Sequence, residues 1–106
     1  MSDHGNSLQN PNPHHLYEIR DHDDDTVFKY GISDDPVEKD GLTKRLRIQV
    51  DFLNRAVGWL RFVGVVLVKN IAGRAAAKKL ENEFIDQFRM DHGRRPRGNP
   101  VGGSKN

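Results

Sequence analysis

The chain has 106 residues, 35% of them hydrophobic and 30% charged, with a formal net charge of +2. That is room for one domain with one core, and too apolar for a fully disordered chain. It contains no cysteine, which excludes disulfides and cysteine-ligated zinc. No apolar run approaches the ~20 residues of a membrane-spanning helix. Met1 to His15 has neither the basic nor the apolar region of a secretory signal, so none is expected.

The small net charge conceals an asymmetry. Residues 1–43 carry three basic side chains against ten acidic ones, and residues 44–97 carry thirteen against five. A basic half of that kind suits a polyanion such as nucleic acid. Charged helix faces turned to water would give the same count.

Residues 1–14, with Gly5, Pro11 and Pro13 and no periodicity, read as a flexible lead. His14-His15 could be imagined as a metal pair, but adjacent histidines at a loop edge read as solvated. His22 with Asp23, Asp24 and Asp25 reads as a polar turn. The β-prone runs Leu16 to Ile19 and Thr26 to Ile32 flank that turn, which predicts a hairpin. Alternation then puts Phe28, Tyr30 and Ile32 on one face, with Val27 and Lys29 on the other. Asp34 to Gly41 is a loop by composition.

Leu42, Leu46, Val50 and Leu53 form one stripe of a helix ending near Arg55 to Gly58. Arg45 lies at the edge of that stripe. Trp59 to Val68 is almost continuously apolar and predicts a strand covered on both faces, at the centre of the sheet. Gly64 within it marks a bulge or a close approach by another element. Gly73 and the alanines at 75–77 open a second helix, striped by Leu80, Phe84, Ile85 and Phe88 and fraying near Asp91 to Gly93. A basic loop and a disordered tail over 100–106 follow. The reading is one α+β domain over residues 15–99, a three-stranded antiparallel sheet in β-β-α-β-α order flanked by helices.

No phosphate loop, no His-Glu-x-x-His and no Gly-x-Ser-x-Gly elbow occurs. The chain carries instead a dispersed series. It runs His15-Leu16-Tyr17, then Lys29-Tyr30-Gly31-Ile32-Ser33, Leu42-Thr43-Lys44-Arg45, Glu81-Asn82-Glu83-Phe84-Ile85, and Pro96-Arg97-Gly98-Asn99. In that order the series resembles the motifs of the GIY-YIG nuclease superfamily, the fold of intron-homing endonucleases and of the incision domain of bacterial excision repair. The ending from His92 to Asn99 also looks like nuclease domains at the tips of bacterial polymorphic toxins. The chain departs from the pattern at His15, which replaces a glycine, and in a longer loop before Arg45, which makes Arg47 a rival for the arginine role. Alignment on Gly31 puts Lys29, not Tyr30, at the second motif's tyrosine.

The resemblance implies a metal-dependent endonuclease acting on nucleic acid, DNA ahead of RNA with both left open, with Mg²⁺ or another divalent cation such as Mn²⁺ held by Glu81. Tyr17 would act on the attacking water, with Lys29 beside it to lower the tyrosine's pKa. Arg45 would bind the phosphate, and Asn99 would support the site by hydrogen bonding. Gly31, Ser33, Arg47, Lys78, Arg94, Arg95 and Arg97 would line the path of the nucleic acid. A toxin of this kind would act in the cytoplasm of a target cell as a secreted effector, and would need a cognate immunity protein as inhibitor. The alternatives are a cytoplasmic, non-catalytic nucleic-acid-binding module using the same basic face, and a small protein-interaction domain. None of these readings involves a membrane.

Overall fold

A computed structural model describes residues 7–100. The elements are β1 (Pro13–Asp21), β2 (Thr26–Ser33), α1 (Lys44–Val57), β3 (Phe62–Ala72) and α2 (Arg74–His92). The strands make one antiparallel sheet, so the α+β architecture and the β-β-α-β-α order are as expected. Residues 1–6 and 101–106, which hold parts of the expected lead and tail, lie outside the described residues. β1 begins at Pro13, inside the stretch assigned to the lead.

The strand order is β2-β1-β3, which corrects the expectation for the apolar run. β1 is central and β3 is an edge strand. Along β3 burial alternates: Phe62 is buried, while Val63, Val65 and Leu67 stay more than a third exposed on the face that α2 leaves open. A continuous apolar run fits a strand covered on both faces, but it fits equally a strand whose second face is only partly covered. Gly64 marks a close approach and not a bulge. A Cβ there would sit 2.8 Å from Leu46 Cγ, so the missing side chain lets α1 settle onto the sheet. The irregularities in the β1–β3 ladder fall elsewhere, on either side of Leu16.

Each sheet face has its own helix. Tyr17, Ile19 and Phe62 pack with Leu46 of α1, and Val50 and Leu53 extend that cluster. On the other face Val27 and Tyr30 pack with Ile85 and Phe88, and Leu16 and Ile32 pack with Ala77. The hairpin contains a bulge between Ile19 and Arg20, where Ile19 pairs with Lys29 but Arg20 pairs with Val27. The skipped residue, Phe28, therefore joins the α1-side cluster and meets Phe62 edge to face at 5.1 Å. Strict alternation had put Phe28 with Tyr30 and Val27 with Lys29. The bulge reverses both placements, and Lys29 and Tyr30 keep theirs.

The hairpin's far end is pinned by charge. Asp21, 2% exposed, accepts from Arg61 Nε at 2.8 Å and Nη2 at 2.9 Å, and also from the Asp23 amide. The Arg61 hydrogen bonds hold the Asp21 carboxyl below the usual carboxylate range. A carboxylate with a depressed folded pKa contributes stability above its unfolded pKa of ~3.9, and loses it as pH falls through the folded value. Arg61→Ala leaves the Asp21 carboxylate without its partner and should destabilise the protein at pH 7. The penalty should shrink at acid pH, as the pH falls through the depressed value and Asp21 becomes protonated. Urea denaturation of both proteins at pH 7 and at acid pH measures the gap, and an undiminished gap at low pH would contradict the account.

Candidate functional site

The two helices bring their N-terminal halves to the end of the sheet where β2 finishes and β1 begins. Between them lies a cavity of about 460 Å³. Its wall includes Tyr17, Lys29, Arg45, Glu81 and Asn99, and also Gly31, Ser33, Lys78 and Arg95. Arg47, Arg94 and Arg97 do not line it. Arg47 forks onto Asp40 and reaches Glu38 at 2.8 Å, so the acidic loop before α1 holds the rival arginine away from the cavity. Arg97 is paired with Asp24 at 2.6 Å, and Arg94 lies over the Phe88 ring. With Arg95 and Arg89 they border a second, more open depression beside the first.

Tyr17 owes its position to the strand beside it. In register it faces Gly31, and a Cβ on Gly31 would fall 2.3 Å from both Cζ and Oη of the tyrosine. The ring lies across the space a side chain would fill, and the residue is 1% exposed. Burial pushes the Tyr17 hydroxyl above its ordinary pKa, while a hydrogen bond from Gln49 and the nearby Arg45 charge work against that rise. This corrects the expectation that Lys29 lowers it. Lys29 is itself half-buried, and burial with the Arg45 charge lowers its own pKa.

What joins Tyr17 to Lys29 is Gln49, a residue that no motif singles out. Its Nε2 donates to Tyr17 Oη at 3.0 Å and its Oε1 accepts from Lys29 Nζ at 3.3 Å. The orientation of that amide follows from chemistry. An ammonium only donates, so the carbonyl oxygen must face Lys29 and the NH₂ must face Tyr17. The tyrosine oxygen is therefore the acceptor, and its own proton is left for another partner. Gln49 is one helical turn from Arg45, so α1 presents both along one face.

Gln49→Leu should raise the Tyr17 pKa further, read as a later tyrosinate absorbance rise on alkaline titration. Gln49→Glu should raise it as well, because a carboxylate keeps Lys29 but cannot donate to the phenol. A Gln49→Glu titration superimposable on wild type would refute the donor assignment.

Glu81, 6% exposed, accepts from Lys78 Nζ at 2.8 Å through Oε1. Its Oε2 has no hydrogen bond among the described residues. One carboxylate oxygen tied down and one open is a donor set that suits Mg²⁺, a hard cation that keeps most of its water. No group of three or more metal-ligating side chains occurs among the described residues, so such an ion would rest on Glu81 and water.

Asn99 is spent on backbone. Its Oδ1 accepts from the Tyr30 amide at 2.8 Å and its Nδ2 donates to the Tyr30 carbonyl at 3.0 Å. With Gly98 N–H on the Phe28 carbonyl, the loop after α2 closes the outer edge of β2. Ser33 accepts from the Asp35 amide, and Asp35 in turn accepts from the Arg45 amide at the start of α1. Tyr30 packs in the α2-side cluster against Phe84, 5.5 Å between ring centroids, although its edge reaches the cavity.

Further wall residues escaped the sequence reading, His14, Asp34, Asp35 and Arg74 among them. His14 and His15 are both buried, which corrects their expected solvation. His15 accepts from the Asn70 amide, and burial lowers its pKa. His14 bonds the Asn12 carbonyl through Nδ1 at 2.7 Å. Since a carbonyl only accepts, Nδ1 carries the proton and Nε2 faces no protein partner among the described residues. Asp34 accepts from Asn10. Arg74 makes no ion pair and no side-chain hydrogen bond among the described residues, and its Nε is buried without a partner.

Comparison with known proteins gives one family. The model described as URI fold toxin 2 matches residues 7–93, which include every element of the fold and all of the cavity wall except the loop after α2. No curated protein and no solved structure matches the chain significantly. Among the described residues no helix is long and apolar enough to cross a membrane.

Proposed function

Because the chain belongs to the URI fold toxin 2 family, a family of toxin domains, we propose that its toxic act is hydrolysis of phosphodiester bonds in nucleic acid, DNA rather than RNA, with a divalent cation. The observation that carries this reading is the composition of one cavity. A tyrosine hydroxyl, several cations and one carboxylate with an unused oxygen converge there, and the GIY-YIG-like series supplies most of them.

The chemistry asked of the site is to seat a phosphate, hold a water against phosphorus and relieve the charge that grows on the oxygens. Arg45, at the start of α1, would seat the phosphate through its planar fork, aided by the positive end of the helix. Lys29, held by Gln49 and half-buried, would place a cation where low local dielectric strengthens its pull on a developing negative charge. Tyr17 accepts from Gln49, so its own proton is free to order a water or a phosphate oxygen beside it. Glu81 Oε2, with Mg²⁺ or Mn²⁺ and water, would supply further charge neutralisation at the leaving oxygen. Nothing in this set reads a base edge, so cleavage should be insensitive to sequence. A toxin of this activity requires a cognate immunity protein in its producer, and covering the cavity mouth is the simplest way for one to act.

The second reading, a binder without catalysis, is favoured only by the arginines of the second depression. Incubating the protein with plasmid DNA and with RNA, in Mg²⁺ and in EDTA, separates the two. Strand breaks that need the cation support the nuclease. Retarded but intact nucleic acid supports the binder, and no retardation at low salt refutes both.

A further inference from the structure

Seven residues before Glu81 on α2 stands Arg74, and three before it on the same face is Lys78; all three line the cavity. At ~1.5 Å per residue, Arg74 lies about 10 Å along the helix from Glu81. Lys78 is committed to Glu81. Arg74 is committed to nothing, and its guanidinium is the first side chain of a helix whose N-cap, Gly73, contributes no side-chain hydrogen bond and whose first turn contains no acid. A cation there is placed against the helix dipole, the unfavourable end for a positive charge. A free guanidinium at that end is stabilised when an anion joins it.

The same end of the cavity holds an independent feature. His14 is 1% exposed, yet its Nε2 has no protein partner among the described residues while its Nδ1–H is fixed on the Asn12 carbonyl. Two ladder irregularities flank Leu16, so residues 14 and 17, which simple alternation would put on opposite faces, line one cavity. A buried histidine whose Nε2 has no protein partner among the described residues and a guanidinium without an ion pair thus line one cavity. Asp34, which lines it too, is already engaged by Asn10.

We propose that Arg74 and His14 form a second phosphate seat, about one nucleotide away from the phosphate held at Tyr17, Arg45 and Glu81. The occupant is the neighbouring backbone phosphate of the same strand. Arg74 forks onto two of its oxygens, and His14, in its protonated form, donates Nε2–H to another. This seat rests on the nucleic-acid reading above and refines it: the preferred substrate is a strand that presents two consecutive phosphates, and an isolated phosphodiester is a poor one.

Binding in EDTA tests the seat without cleavage. Thymidine dinucleotide carries one internucleotide phosphate and the trinucleotide carries two. Titrating each into ¹⁵N-labelled protein, wild type should bind the trinucleotide about tenfold more tightly, the value of one charge-assisted phosphate contact. The His14 Nε2 resonance should move from the pyridine-like to the pyrrole-like range with the trinucleotide alone. In Arg74→Gln the tenfold advantage should vanish while dinucleotide affinity stays within twofold, and Arg74→Lys should recover part of it. Amide spectra of the variants show whether they are folded. Equal loss for both ligands, no loss for either, or an unmoved His14 resonance overturns the seat. A protein that cleaves DNA but fails these tests loses the seat and keeps the nuclease. One that passes them and cleaves nothing keeps the seat on a binding module, and one that binds neither ligand loses both.

Discussion

Gly31→Ala should destabilise the protein by about 3 kcal/mol and reduce cleavage at least a hundredfold. The added Cβ would lie 2.3 Å from two atoms of Tyr17 and 2.7 Å from a third, well inside contact distance. The ring cannot yield cheaply, because Ile19, Leu46 and Phe62 enclose it from the α1 side. Forcing a methyl into a packed core costs roughly 1–3 kcal/mol, and the lost Gln49 hydrogen bond adds about 1 kcal/mol. A tyrosine moved by about 1 Å no longer holds its proton where the reaction needs it, a displacement worth ~10²-fold in rate. The cause can be isolated by repeating Gly31→Ala in a Tyr17→Ala background, where the ring is absent. Chemical denaturation of all four proteins should show most of the cost disappearing there. An equal cost in both backgrounds would mean that Gly31 serves the backbone and not the tyrosine.

The element order was legible because each element carries its own periodicity, and the stripes Leu46–Val50–Leu53 and Phe84–Ile85–Phe88 do face the sheet. The rank of β3 was not legible. Whether Val63, Val65 and Leu67 are covered depends on where α2 lies, which is a property of packing and not of the strand. The placement of Phe28 failed for a related reason. A bulge costs one residue of register and leaves no mark in composition.

The cavity divides in the same way. Residues resembling motif positions could be named in advance, and most of them share one wall. Arg45 and Arg47 could not be separated from spacing, since what distinguishes them is a pairing with Asp40 and Glu38 across the loop. A signal was present there, four acidic residues in the loop before two arginines, but it has no fixed geometry until the loop folds. Gln49 was visible only as the residue one turn beyond Arg45. His14 and Arg74 were hidden because their faces depend on ladder irregularities and on the exact start of α2. Polar residues that complete a site by touching one another carry little pattern of their own.

Glu81→Gln should lower cleavage by ~10³-fold or more while leaving the fold intact, and it is the sharpest test of the metal. The substitution keeps the volume and the oxygen facing Lys78, so the hydrogen bond to Nζ survives as a neutral one. What disappears is the negative charge on the open oxygen, and with it the attraction for a hard dication; several kcal/mol of transition-state stabilisation corresponds to that fall in rate. Because Lys78 and Glu81 are mostly buried, part of their pairing energy is lost too, about 1 kcal/mol, visible as a lower melting temperature without metal. A readout free of catalysis comes from adding Mg²⁺. Ligands that bind the native state raise its stability by RT ln(1 + [L]/Kd), so millimolar Mg²⁺ should raise the melting temperature of wild type and not that of Glu81→Gln. Glu81→Asp should fall between, with its shorter carboxylate drawn back towards the helix. If Glu81→Gln cleaves as well as wild type, the carboxylate belongs to Lys78 alone. The chemistry would then rest on Tyr17, Lys29 and Arg45 without the cation. If Mg²⁺ stabilises both proteins equally, the ion binds elsewhere, and Glu81 loses its role as ligand whatever the activity shows.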